Sequence, residues 1–438
     1  MRKLLLLFVL IPVMSFAKNS PQGVEFQEYT LDNGLHVILS QDHTTPNVVV
    51  SVMYHVGSKN EEPHLTGFAH FFEHLMFEGT KHIPRHTYDK YVSRVGGTLN
   101  ANTSNDRTYY YEVIPSNELA LGLWLESERM LHPIIEEIGV KTQKDVVCQE
   151  MNQTRDNKPY GLLLTASLKN AFKVHPYKTD VLGSEEHVRN ASVEDFKEFH
   201  DMFYVPNNAV LTICGDFEID EAKELVSTYF SDIPKGTTEI RRPDPNMEPA
   251  RTAPIKDTIF DNIQLPMLVN VYPAPAMGTK DYFAVTMLGK LLTEGETSIM
   301  KSTLVDEEQI ALEVQAVALP FEHPGMNIVL GLPNMGKKVE DLEARVDATI
   351  AQLKVDGISD KDFQKLKNQV ESGMVLSNSG IENKAHNLAT AYTYFKNTNY
   401  INEELGKYME VTKEDLMDAA EKYFNPNQKV SVYFLPKK

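Results

Sequence analysis

Two cysteines in 438 residues, Cys148 and Cys214, are too few to build a disulfide scaffold. One pairing is open to them, and spacing leaves it undecided. Ordinary hydrophobic cores must therefore carry the fold, and 42 % hydrophobic residues supply ample material. Positive charge is also short: 43 Lys and Arg against 61 Asp and Glu give a formal charge of −18. Such a surface repels phosphate backbones, which argues against nucleic acid as a partner. It suits cationic peptides, or plain solubility. Beyond the first residues no segment offers eighteen uncharged apolar residues in succession, so no stable membrane span is expected.

What is present begins with MRKLLLLFVLIPVMSFAKNS: Arg2 and Lys3, an apolar run from Leu4 to Met14, then Ser15-Phe16-Ala17. This predicts a secretory signal peptide over residues 1–17, cut after Ala17, with a retained anchor as the other reading. The expected mature protein is exported, to a periplasm or beyond the cell. Losing Arg2 and Lys3 makes its charge more negative by two.

The C-terminal end of the chain repeats its middle at one fixed offset of 220. Ser192 to Ile213, SVEDFKEFHDMFYVPNNAVLTI, aligns without gaps on Thr412 to Tyr433, TKEDLMDAAEKYFNPNQKVSVY. Ser192 with Asp195, and Thr412 with Asp415, form acidic relatives of the capping box that opens a helix. Each helix runs into a Pro-Asn turn, Pro206-Asn207 or Pro426-Asn427, and then an alternating β-branched strand. Helix-turn-strand units recur by chance, but an offset near half the chain favours duplication. The reading is an α+β chain of two homologous αβ domains, each an antiparallel-rich sheet flanked by helices. Residues 18–232 form the first and 257–438 the second, joined by a proline-rich linker over 233–256. In the first domain GLHVILSQD, NVVVSVMYHVGS and GTLNANTSNDRTYYYEVI read as strands. Helices are expected over Leu65–Glu78, Asn117–Met130 and Val140–Asn152.

Within LTGFAHFFEHLMFEGT, a helix places His70 and His74 one above the other, their Cβ atoms roughly 6 Å apart. Glu73 falls beside His74, Phe68, Phe72, Leu75 and Met76 form the inward wall, and Gly79 stops the helix. Zinc accepts imidazole nitrogen and carboxylate oxygen, and a catalytic site keeps one position open for water. His-x-x-Glu-His is the reverse of His-Glu-x-x-His, and in either order the glutamate is placed to take a proton from metal-bound water. A pattern this short fits two core histidines beside a surface glutamate equally well. Polarity tips the balance, because burying His, Glu and His among large apolar residues costs several kcal/mol unless something satisfies them.

These residues resemble the inverzincin metallopeptidases of the pitrilysin, insulin-degrading enzyme and mitochondrial processing peptidase superfamily, in their half-size group. GFAHFFEHLMFEGT is similar to that family's zinc helix almost position for position. GGTLNANTSNDRTYYY, LWLESERM, KDVVCQEMNQTRDNKPYG, HPYKTDVLG and FYVPNNAVLTICGD follow in the family's order. The resemblance implies a zinc endopeptidase acting on peptides or small unfolded proteins. One Zn2+ per chain would be held by His70, His74 and Glu150, with Glu73 as general base. Glu150, seventy-six positions after His74, is identified by the resemblance alone; spacing could not select it among 61 acids. The family binds extended peptide by adding it to an edge strand, which falls here at Gly97–Asn102, with Asn100 and Ala101 as the expected contacts. Two polypeptides of this size close around a chamber in the family. The second half, at AVTMLGKLLTEGE, has no histidine or paired acid, so only the first half would bind zinc.

Two departures stand out. Many active members of the family it resembles place an Arg and a Tyr seven apart in the C-terminal half to hold the developing oxyanion, where this chain has Val305 and Leu312. Gln143 stands where the family carries a supporting glutamate that orients the metal ligands. The missing donors would then come from a homologous zinc-free partner, in a heterodimer, with a self-sufficient homodimer as the other arrangement. The glycine-rich loop of the family's non-catalytic processing subunit is missing, which marks this chain as the catalytic type. The rival function is a non-proteolytic assembly or binding subunit. His64 and His175 read as surface or turn residues, and Tyr109, Tyr110 and Tyr111 as strand packing.

Overall fold

The computed structural model describes residues 23–437. The expected signal peptide lies outside them. The first unit carries strands β1 (Gln27–Thr30), β2 (His36–Gln41), β3 (Asn47–Tyr54), β4 (Thr98–Thr103), β5 (Thr108–Pro115) and β6 (Ala209–Gly215). Its helices are α1 (Phe68–Leu75), α2 (Tyr88–Arg94), α3 (Leu119–Leu131), α4 (Glu137–Met151), α5 (Leu163–Ala171), α6 (Glu185–Asn190), α7 (Val193–Phe203) and α8 (Ile219–Phe230). The second unit carries β7 (Ile255–Asp261), β8 (Met267–Ala274), β9 (Ala311–Leu319), β10 (Gly325–Pro333) and β11 (Val430–Pro436). Its helices are α9 (Lys280–Thr293), α10 (Val339–Asp356), α11 (Asp360–Ser377), α12 (Ile381–Phe395), α13 (Tyr400–Glu410) and α14 (Lys413–Tyr423).

Strand order exposes the duplication. The first sheet runs β1-β2-β6-β3-β5-β4 and the second β7-β11-β8-β10-β9. Without β1 the two orders correspond strand for strand. In each sheet a single pair is parallel, β2 with β6 and β7 with β11, and the rest are antiparallel. Both capping boxes close as expected. Ser192 Oγ accepts from the Asp195 amide at 3.2 Å and Thr412 Oγ1 from the Asp415 amide at 3.1 Å, with each aspartate reaching back to its cap residue.

Period-2 patterning sets which side of the first sheet faces which helices. In β3, Val48, Val50, Val52 and Tyr54 face the core built with α1, α3, α7 and α8. Val49 and Met53 face the other way, against Ala385, Leu388 and Ala389 of α12, a helix of the second unit. The second sheet does the converse: Val269, Val271, Ile328 and Val432 pack on Ala166 and Leu168 of α5, a helix of the first unit. α5 and α12 occupy equivalent places in the repeat, so each unit closes its partner's sheet with the same helix.

A buried polar seam joins the units. Lys59 Nζ, with no exposed side-chain surface, bonds Asp106 at 2.7 Å and also Glu322 of the second unit. Tyr177 donates to Asp106 at 2.5 Å, and His55 meets Glu322 at 2.7 Å. His175, at a turn as expected, is buried rather than at the surface and meets His323 at 2.9 Å. Cys148 and Cys214 are both buried and free.

Candidate metal centre

α1 is shorter than Leu65–Glu78 at both ends: Gly67 takes a left-handed φ of 94° just before it, and the helix closes at Leu75, ahead of the expected stop at Gly79. The exposed amides at its start are capped from a distance: Glu61 accepts from the backbone N–H of Gly67 and of Ala69, each at 2.9 Å. Burial pushes the Glu61 carboxyl up to about 8 against the opposing pull of those amides. The helix's apolar face is aromatic. Phe68 and Phe71 stack on Phe196 of α7 at 4.4 and 4.2 Å between centroids. Tyr110 on β5 donates to the Phe72 carbonyl at 2.9 Å, so sheet and helix are tied by backbone as well as by packing.

The opposite face carries the donors. His70 is buried and His74 partly so, and their Nε2 atoms face each other at 3.4 Å. Glu150, near the C-terminal end of α4, brings Oε1 to 3.6 Å from His70 Nε2 and Oε2 to 3.1 Å from His74 Nε2. Hydrogen bonds from the two imidazoles hold its carboxyl well below the usual carboxylate range. Four ligands around zinc at about 2.05 Å stand roughly 3.3 Å apart, close to the imidazole separation and to the distance from each imidazole to its nearer Glu150 oxygen, and one donor atom from each of the three residues lies within 4.8 Å of the other two. This donor set can hold one ion.

The other expected residues sit as follows. Glu73 is partly buried, and its carboxylate makes no hydrogen bond among the described residues. Asn100 and Ala101 lie on β4, the terminal strand of the first sheet, paired only with β5. Asn100 is exposed and Ala101 buried, and the Asn100 side chain accepts from the Ala101 amide at 2.9 Å. Gln143 bonds none of the three donors; its amide donates to buried Glu78, just past α1, at 2.7 Å. Glu78 also pairs with Arg85. Gln143 therefore ties α4 to the end of α1 instead of supporting a ligand directly. Val305 packs against the second core and Leu312 is exposed on β9, and neither has a polar group to offer. Tyr109 and Tyr111 stack on one face of β5, 5.3 Å apart, with Tyr110 on the other.

Sequence reasoning missed Glu61 and Glu78. Glu61 reaches over a turn to backbone amides six and eight residues on, and Glu78 meets Gln143 sixty-five residues away, and neither contact follows a helical or strand period.

A duplicated αβ fold whose candidate metal-ligating His-His-Glu clusters lie, among the described residues, on the first repeat alone defines a class of two-repeat proteins with an asymmetric metal site. The Insulinase (Peptidase family M16) domain description matches residues 36–185, and the Peptidase M16 inactive domain description matches residues 190–370. Zinc protease PqqE of Helicobacter pylori is 30% identical over 416 residues, covering 94% of this chain and 93% of that protein. A probable mitochondrial-processing peptidase subunit beta of Arabidopsis thaliana is 22% identical, over 84% of this chain and 70% of that one. Among solved structures, a protease from Helicobacter pylori superposes with a TM-score of 0.89 at 27% identity, covering 94% of this chain and 100% of that one. The periplasmic protease PqqL of Escherichia coli shares the fold at a TM-score of 0.79 and 18% identity, over 95% of this chain but 48% of that one. The chain belongs to peptidase family M16. No helix among the described residues is long and apolar enough to cross a membrane.

Proposed function

We propose that this chain is an exported zinc-dependent endopeptidase and the catalytic member of a two-chain chamber. The observation that carries the reading is the convergence of His70, His74 and Glu150, with donor separations of 3.1 to 3.6 Å, on α1 and α4. His70, His74 and Glu150 would hold zinc, which would supply Lewis acidity to a water and to a peptide carbonyl. Glu73, adjacent to His74 and free of other hydrogen bonds among the described residues, accepts the proton of the attacking water and returns it to the departing amine. The open edge of β4 takes an extended peptide by main-chain pairing, with Asn100 and Ala101 at the contact. Such pairing admits many sequences. Val305 and Leu312 cannot stabilise an oxyanion, which favours a homologous zinc-free partner as the source of that donor over a self-sufficient homodimer. The match to only 48% of PqqL supports pairing, since that protein has a second half of similar size. PqqL's description as periplasmic supports export of this chain, by the leader over residues 1–17.

The test is cleavage of a quenched peptide alongside zinc content. Glu73→Gln is expected to keep its zinc and lose about 10²–10⁴ in rate, and Glu150→Ala to lose the ion held with His70 and His74. Cleavage unchanged in zinc-loaded Glu73→Gln would remove Glu73 from the mechanism. No cleavage by the wild type with any homologous partner would leave the assembly-subunit reading.

A further inference from the structure

A second cluster of the same donor types lies outside this site. His82 sits in the segment that follows α1, Glu128 in the last turn of α3, and His132 is the residue that ends α3. The framework around them is tied by backbone. The Lys81 amide donates to the His132 carbonyl at 3.0 Å, and the Ile134 amide to the Gly79 carbonyl at 3.1 Å. Thr80 Oγ1 donates to Glu128 Oε2 at 2.8 Å, which fixes the carboxylate and turns Oε1 toward the histidines. His82 Nδ1 lies 2.9 Å and His132 Nδ1 3.2 Å from that one oxygen.

We propose that His82, Glu128 and His132 form a second binding site for a divalent transition-metal ion, with zinc the best match to two imidazoles and a carboxylate. The three donor atoms lie within 4.8 Å of one another, as those of the first cluster do. The imidazole arrangement repeats as well. The His82 and His132 rings are 5.1 Å apart at 85°, and the His70 and His74 rings 4.9 Å apart at 80°. Glu128 is the anchor of the cluster, held by Thr80 Oγ1 on one oxygen and facing both histidines with the other. Its side chain is 8% exposed, against 50% for His82 and 28% for His132. An ion would thus sit on a buried charge and keep an open face for water. Nothing is shared with the first site. A bound ion would pin the segment leaving α1 to the end of α3.

The two histidines could instead each donate a hydrogen bond to Glu128 with no ion between them, and metal counting separates the cases. Metal-free full-length protein is dialysed against zinc buffered at roughly micromolar free concentration, and bound zinc per chain is measured. Wild type is expected to hold about two ions, and His82→Ala, His132→Gln and His74→Ala about one each. Melting of the metal-free proteins checks the fold; half-exposed His82 makes its replacement benign, and His132→Gln gives an independent reading. The proposal is overturned if wild type saturates at about one ion that only His74→Ala removes, or if His82→Ala and His132→Gln hold as much as wild type. If the first site were the wrong one, His74→Ala would match wild type while the His82 and His132 variants still lost an ion.

Discussion

Arg129 shows how much a single residue can fix out of sight. It is 1% exposed, and its guanidinium carbon lies 4.3 to 4.4 Å from the ring centres of Phe77, Tyr88 and Tyr110. Glu126 pairs with it at 3.1 Å and Glu112 stands at 3.6 Å. Replacing it leaves the buried carboxyls of Glu126 and Glu112 without their cation, the second already pushed well above its ordinary range by burial and by Glu126, so Arg129→Ala is expected to cost about 3–5 kcal/mol in urea denaturation. Arg129→Lys should recover only part, since an ammonium cannot lie flat against three rings. A loss under about 0.5 kcal/mol would mean that water reaches the carboxylates. The sequence could not announce this role. LWLESERM is recognisable only by resemblance, and a charged residue is by default assigned to the surface. His70 and His74 were legible because their partner spacing is local; Glu150 was not, because tertiary folding alone brings α4 beside α1.

Among the elements, strands were the most legible. β2, β3 and β5 read directly from β-branched and aromatic alternation, and the two capping boxes located α7 and α14. Helix ends were less so. α4 begins at Glu137, three residues before the expected Val140, because Glu136 is still extended and Glu137 already supplies the acidic first turn. The exchange of α5 and α12 left no trace in the pattern, since an apolar helix face does not state which sheet it will cover. That exchange makes a long-range prediction. Leu388 on α12 is fully buried against β2, β3 and β6, so Leu388→Ala is expected to cost about 2–5 kcal/mol. Amide exchange should show the loss in β3 and β6 of the other unit. Loosening confined to α12 and its neighbours in the second unit would contradict the interlocked arrangement.

For the molecule as a whole, the junction between units is a layer of neutral histidines. Burial pushes His55 and His175 down to about 4, and His386 of α12, beside Arg107, likewise to about 4. His36, stacked on Tyr392 of α12 at 3.4 Å between centroids, is lowered in the same direction by burial. Unfolded histidine takes a proton near 6.5, so between about 6.5 and about 4 the unfolded chain binds more protons and stability falls as pH falls. The melting temperature of metal-free protein should decline across that window, and His55→Asn should flatten the decline. A constant melting temperature from pH 7 to 4 would refute the seam's role. The reciprocal closure of the sheets has a temporal side too. During synthesis the β3 and β6 surface formed by Val49, Met53 and Cys214 stays bare until residues 381–395 have emerged, long after β6 itself. The first sheet therefore passes through a half-built stage with an adhesive flank open until α12 arrives to cover it.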